Sequence, residues 1–101
     1  MTDAAGNAAP GLLKRTLAIG NKRGLHARAA AKFVKLVDGF DAAVTVERNG
    51  TSVDGRSIMG LMMLAAGPGT ELMLRADGPE AAAALDALSD LISRGFDEGP
   101  A

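Results

Sequence analysis

No cysteine occurs in the chain, which removes disulfides, thiolate chemistry and thiolate metal sites from consideration and fits a reducing compartment. Tyrosine and tryptophan are absent too, and phenylalanine occurs only three times. The core must therefore be assembled from Leu, Ile, Val, Met and Ala, and stacking on nucleic-acid bases has little to work with. A formal charge of −1 provides no global basic field, so protein partners are expected and nucleic acid is not. No apolar run is long enough to span a bilayer, and Met1-Thr2-Asp3-Ala4-Ala5-Gly6 lacks the basic flank and apolar segment of a signal peptide. Cytoplasmic residence without membrane insertion is the expectation. One histidine among scattered carboxylates does not make a transition-metal site, so neither a metal nor another cofactor is expected. A length of 101 residues suits one domain with a single core.

The one histidine sits in Gly24-Leu25-His26-Ala27-Arg28-Ala29. A lone histidine in a small domain is usually a surface or cap residue without chemistry. Here the residues that follow shift the balance. Ala30, Phe33, Val34 and Val37 recur at the spacing of an amphipathic helix, with Lys32 and Lys35 on its other side, so a helix starts close to His26. The first helical turn has unpaired N–H groups and the positive end of the helix dipole; it favours an anion and disfavours an imidazolium. A neutral ring there can attack an electrophile such as a phosphoryl group. The backbone N–H groups of Ala27 and Arg28 and the forked guanidinium of Arg28 would then hold the phosphoryl oxygens.

The rest of the chain alternates between two periods. Residues 1–11, rich in Ala and Gly, show neither period and read as a flexible tail; residues 12–96 form the domain and residues 97–101 a C-terminal tail. Leu13, Leu17 and Ile19 alternate with Lys14, Thr16 and Ala18, as in a strand with one buried face. The His26 helix should end near Asp38-Gly39 with the glycine in a left-handed cap. Strands follow at Ala43–Arg48 and Thr51–Asp54, joined by an Asn49-Gly50 hairpin turn. Ser57 is placed as the N-cap of a helix over Ile58–Ala66, and Gly67-Pro68-Gly69 then leads into a strand over Thr70–Ala76. Without a Gly-Lys-Ser/Thr ending, that glycine-rich stretch is a turn and not a phosphate loop. A last helix begins at Asp77-Gly78-Pro79-Glu80, carries Ala81, Leu85, Leu88, Leu91 and Ile92 on one face, and ends at Gly95. The order β-α-β-β-α-β-α predicts an α+β open-faced sandwich, a four-stranded antiparallel sheet covered on one side by three helices.

Gly24-Leu25-His26-Ala27-Arg28 followed later by Arg56-Ser57-Ile58-Met59-Gly60-Leu61-Met62 resembles the histidine-containing phosphocarrier (HPr) family of the bacterial phosphotransferase system, from about Leu12 to about Phe96. The family commonly has proline where this chain has Ala29, and alanine supports the helix equally well there. Asn21-Lys22-Arg23 is closer to the nitrogen-related branch (NPr) than to the sugar-transport branch. The resemblance implies the same open-faced fold and a phosphohistidine at His26. It also implies an enzyme I-type donor fed by phosphoenolpyruvate and a IIA-type acceptor. Such a chain is a carrier and not a stand-alone enzyme, and it is expected to act as a monomer.

Ser57 is explained as a helix cap; the resemblance adds that the matching serine is phosphorylated by a regulatory kinase in some bacteria. Met59, Leu61, Met62, Met63 and Leu64 are too many apolar side chains for one face of a short helix. Flexible exposed methionines suit a surface that must accept several partners in turn. Leu25, Arg28, Met59, Met62 and Met63 are the docking candidates, and Lys14, Arg15, Lys22 and Arg23 form a basic cluster that would steer acidic partners. An alternative keeps the fold but not the chemistry: a regulatory module that docks on an enzyme or sensor without relaying phosphate.

Overall fold

The computed structural model describes residues 12–98. The tail expected over residues 1–11 lies outside them, as do positions 99–101 of the C-terminal one. The elements run β1 (Leu12–Ala18), α1 (Ala27–Val37), β2 (Ala43–Arg48), β3 (Thr51–Asp54), α2 (Ile58–Met63), β4 (Glu71–Asp77) and α3 (Ala81–Ser93), then a 3-10 turn at Gly95–Asp97. The sheet order is β1-β4-β2-β3, antiparallel throughout. This is the α+β open-faced architecture that the alternating periods predict.

Register places apolar residues of neighbouring strands side by side on one face of the sheet. Leu17 lies opposite Leu72 and Val46 opposite Leu74, with Val53 beside Val46 on the far edge. On this face the sheet meets Phe33 and Val37 of α1, Leu61 of α2 and Leu85 and Leu88 of α3, all fully buried. The α3 stripe is buried as its spacing predicts. The parity of β1 also holds, yet Leu13 is 40% exposed because it sits toward the start of an edge strand, with a neighbour on one side only. Arg15 shares the helix-facing parity and donates to Asp86 Oδ1 at 2.8 Å and Ser89 Oγ at 2.9 Å. It ties β1 to α3, so it drops out of the basic steering cluster.

Helix ends depart from expectation where side chains do the capping. Asn49 and Gly50 take φ of 50° and 83°, the left-handed pair an Asn-Gly hairpin requires. Gly39, by contrast, is not left-handed; α1 closes through turns from Gly39 N–H to Leu36 O and Phe40 N–H to Val37 O. Arg56 seals that end by donating to the carbonyls of Val37, Phe40 and Ala42. α2 stops at Met63 rather than Ala66, because Ala65 turns left-handed at φ 53°. Arg48 then donates to the carbonyls of Leu64 and Ala65. No helix among the described residues is long and apolar enough to cross a membrane.

Candidate functional site

The loop before α1 is fastened to the turn between α2 and β4. Ile19 N–H donates to Thr70 O at 2.9 Å, Gly69 N–H to Ile19 O at 2.7 Å, and Leu25 N–H to Ala66 O at 2.9 Å. Gly24 makes the last contact possible: its φ is +64°, and a Cβ there would lie 2.4 Å from Ala66 O. Leu25 is thereby drawn into the core at 5% exposure. As a docking residue it is corrected, since it has no surface to offer a partner.

His26 is the N-cap of α1, extended at φ −78° and ψ 179°. Its carbonyl accepts the first helical bond, from Ala30 N–H at 2.8 Å, while its ring makes no capping bond. The N–H groups of Ala27, Arg28 and Ala29 consequently have no intrahelical acceptor, and they converge at the positive end of an eleven-residue helix. Ala27 and Arg28 are solvent-exposed. Around the ring lies an open depression of about 270 Å³ lined by Arg23, His26, Arg28, Lys32, Asp97 and Glu98. A larger depression of about 580 Å³ between α1 and α3 has Leu36, Phe40 and Leu91 on its floor and shares only Lys32 and Asp97 with the first. The smaller one holds the imidazole and is the chemical site.

Glu98 was not visible as a site residue from sequence. Its Oε2 hydrogen-bonds His26 Nε2, and its Oε1 accepts from Asn21 Nδ2 at 3.1 Å. The Asn21 amide also donates to Gly24 O at 2.8 Å, so the turn after α3 is joined to the loop before α1. The bonds from His26 and then Asn21 hold the Glu98 carboxyl below its ordinary value of 4.5, outweighing a partial burial that acts in the opposite direction. An ionised carboxylate only accepts, so Nε2 carries the ring proton and Nδ1 the lone pair. No motif or period marks position 98, and only the fold brings it to position 26.

α2 supplies the adjoining surface. Ser57 is its N-cap, as expected, with Oγ accepting from Gly60 N–H at 2.9 Å. Met59 and Met63 are 70% and 77% exposed, and Met62 and Ile58 are exposed beside them, while Leu61 and Leu64 are buried. Ile58 is the member of this patch that the docking candidates omitted. Arg56, next to Ser57, clamps the C-terminal end of α1, whereas Ala66, beyond α2, is bonded at the N-terminal end. The two helices thus run antiparallel, with Met62 and Met63 toward His26 and Ser57 roughly one α1 length away, about 16 Å at 1.5 Å per residue. Among the described residues no cluster of His, Asp and Glu could hold a metal ion.

Comparison with known proteins places these features in context. The family model described as the PTS HPr component phosphorylation site matches residues 13–94. The chain is 51% identical over 88 residues to a phosphocarrier protein HPr of Cupriavidus necator, covering 87% of this chain and 99% of that one. It is 43% identical over 86 residues to a phosphocarrier protein NPr of Shewanella violacea, covering 85% and 94%. The crystal structure of HPr-C-His from Thermoanaerobacter tengcongensis superposes with a TM-score of 0.83 at 40% identity, covering 87% of this chain and 99% of that one.

Proposed function

The chain belongs to the HPr family of phosphocarriers of the phosphotransferase system, and from that premise we propose that His26 accepts a phosphoryl group from an enzyme I-type donor and passes it to a IIA-type acceptor. The observation that carries this is the imidazole at the N-cap of α1, beside unpaired first-turn N–H groups and the cations Arg23, Arg28 and Lys32. The lone pair on Nδ1 attacks phosphorus as the bond to the donor breaks, and the electron pair of that bond stays with the donor. Arg28 and the N–H groups of Ala27 and Arg28 take up the charge on the phosphoryl oxygens. Onward transfer reverses the polarity of these steps.

Donor and acceptor must both reach His26, so they use one face in turn. The exposed methionines of α2 suit that demand because an unbranched thioether repacks against different partners. The carrier acts as a monomer in this reading, since a dimer built on α2 would cover the face the partners need. Ser57 is a second phosphorylation site, for a serine kinase: a phosphoryl group there would place negative charge beside Met59 and oppose docking of an acidic, apolar surface.

The test incubates the full chain with phosphoenolpyruvate and a purified enzyme I-type protein, then adds a purified IIA-type protein. Acid-labile phosphate should form on the chain and then move to the acceptor. A chain that binds the donor but never carries phosphate would be a docking module instead.

A further inference from the structure

The turn that delivers Glu98 to the imidazole is held in an unfavourable backbone conformation. Gly95, Phe96 and Asp97 take φ of 64°, 57° and 61° in succession. For a bulky residue such as Phe96 the left-handed region is a genuine outlier. It persists because the Phe96 ring is fully buried and the Phe96 carbonyl accepts from Lys32 Nζ at 2.6 Å. Arg94 Nε donates to Asp97 Oδ1 at 2.8 Å and closes the turn from outside. Asn21, itself buried, lies against Gly95 and fixes the second oxygen of the Glu98 carboxylate. The side chains of His26 and Glu98 are 16% and 11% exposed. Strain that the surroundings enforce next to a reactive group points to use.

We propose that Glu98 is a positioning residue for phosphoryl transfer, accepting the Nε2–H of His26 so that the lone pair stays on Nδ1 and the proton stays on the ring while Nδ1 carries phosphate. The inference rests on the reading of His26 as the phosphoryl acceptor. When the neutral ring attacks through Nδ1, an N–P bond forms, the donor's bond to phosphorus breaks, and the Nε2 proton remains, leaving a cationic phosphoimidazolium. On transfer to the acceptor the N–P bond breaks, its electron pair returns to Nδ1, and the ring departs as neutral imidazole. Were Nε2 deprotonated first, the ring would have to depart as an imidazolate, a far poorer leaving group. The charged groups that face the same depression are Arg23 of the loop, Arg28 and Lys32 of α1, and Asp97 and Glu98 of the turn after α3. Of these, only Glu98 touches the ring nitrogen. The phosphoryl group on Nδ1 and the carboxylate on Nε2 occupy different edges of the imidazole, so one does not displace the other.

The experiment compares the full chain with Glu98→Gln, each phosphorylated by the donor, following acid-labile phosphate on His26 and its loss to water across pH. Glutamine keeps an acceptor in place but removes the charge. The midpoint at which the phosphorylated ring changes reactivity should move down by about one pH unit, the lower end of what an adjacent opposite charge produces. A structural role alone would change the rates at every pH and leave the midpoint in place. Unphosphorylated protein supplies a second readout: an exchange-protected Nε2–H proton resonance expected in the parent chain and lost in Glu98→Ala. An unmoved midpoint together with an unchanged Nε2–H resonance overturns the role of Glu98 while leaving the carrier reading intact. Absence of phosphate from His26 in the parent chain overturns both.

Discussion

Replacing Gly24 with alanine tests how tightly the loop that presents His26 is held. Two costs combine at this position. The first is conformational, because alanine at φ +64° must adopt the left-handed region, worth about 1–2 kcal/mol. The second is steric: the new Cβ would lie 2.4 Å from Ala66 O and 2.9 Å from Gly67 Cα, both backbone atoms that cannot rotate away. Relief requires the loop to lift from the α2–β4 turn, and the Leu25 N–H to Ala66 O bond at 2.9 Å is the first to go. That bond contributes about 1 kcal/mol, and the buried Leu25 side chain moves with it. A total of about 3 kcal/mol follows, or a fall in Tm of about 12–24 °C for a domain of this size. Gly50→Ala is the control: its φ is +83° but no atom lies within 4 Å of the added Cβ, so only the conformational cost applies. Urea denaturation of the two variants measures the difference. Equal losses would refute the close approach and, with it, the account of how the loop is fixed.

Other substitutions separate the roles of the site residues. Arg28→Ala should slow single-turnover phosphorylation at saturating donor by about one to two orders of magnitude, the worth of a charge-assisted bond expressed in the transition state, with Arg28→Lys recovering only part; a normal rate at saturation would move Arg28 from the phosphate site to docking. Ser57→Ala should cost about 1 kcal/mol of stability through loss of the cap bond to Gly60, whereas Ser57→Asp should keep the cap and raise the donor concentration needed for half-maximal rate; unchanged kinetics in Ser57→Asp would leave Ser57 as a cap only. Because the folded Glu98 carboxyl titrates below 4.5, its bond contributes stability above that value and loses it as pH falls through the lower folded value. Amide-exchange protection at Phe96–Glu98 should therefore drop selectively on acidification in that window, and uniform protection would contradict the link.

Local patterns carried most of the fold, and distance along the chain marks where they stopped. The period of α3 and the Asn49-Gly50 turn are short-range properties, and both match the structure. The alternation of β1 placed side chains on the correct face but could not tell that an edge strand leaves Leu13 exposed. Gly67 and Pro68 were visible stop signals for α2, yet the helix ends earlier, where Arg48 from another strand caps its carbonyls. His26 was legible because a glycine turn, an arginine and a helix period surround it within a few residues. Glu98 was not, because its bond to His26 spans 72 residues and depends on a strained turn around Phe96 that no local preference favours. Leu25 failed as a docking residue for a related reason: the approach of Ala66 buries it.

Every role proposed for the site depends on the phosphoryl group residing on His26. Mass-spectrometric mapping of the chain after reaction with phosphoenolpyruvate and an enzyme I-type donor tests it most directly, with His26→Ala run in parallel. One acid-labile phosphate is expected on the peptide containing His26. The His26→Ala protein is expected to keep its fold and take up no label, since the chain has no other imidazole. Phosphate that persists in His26→Ala, or maps to a different residue in the parent chain, would contradict it.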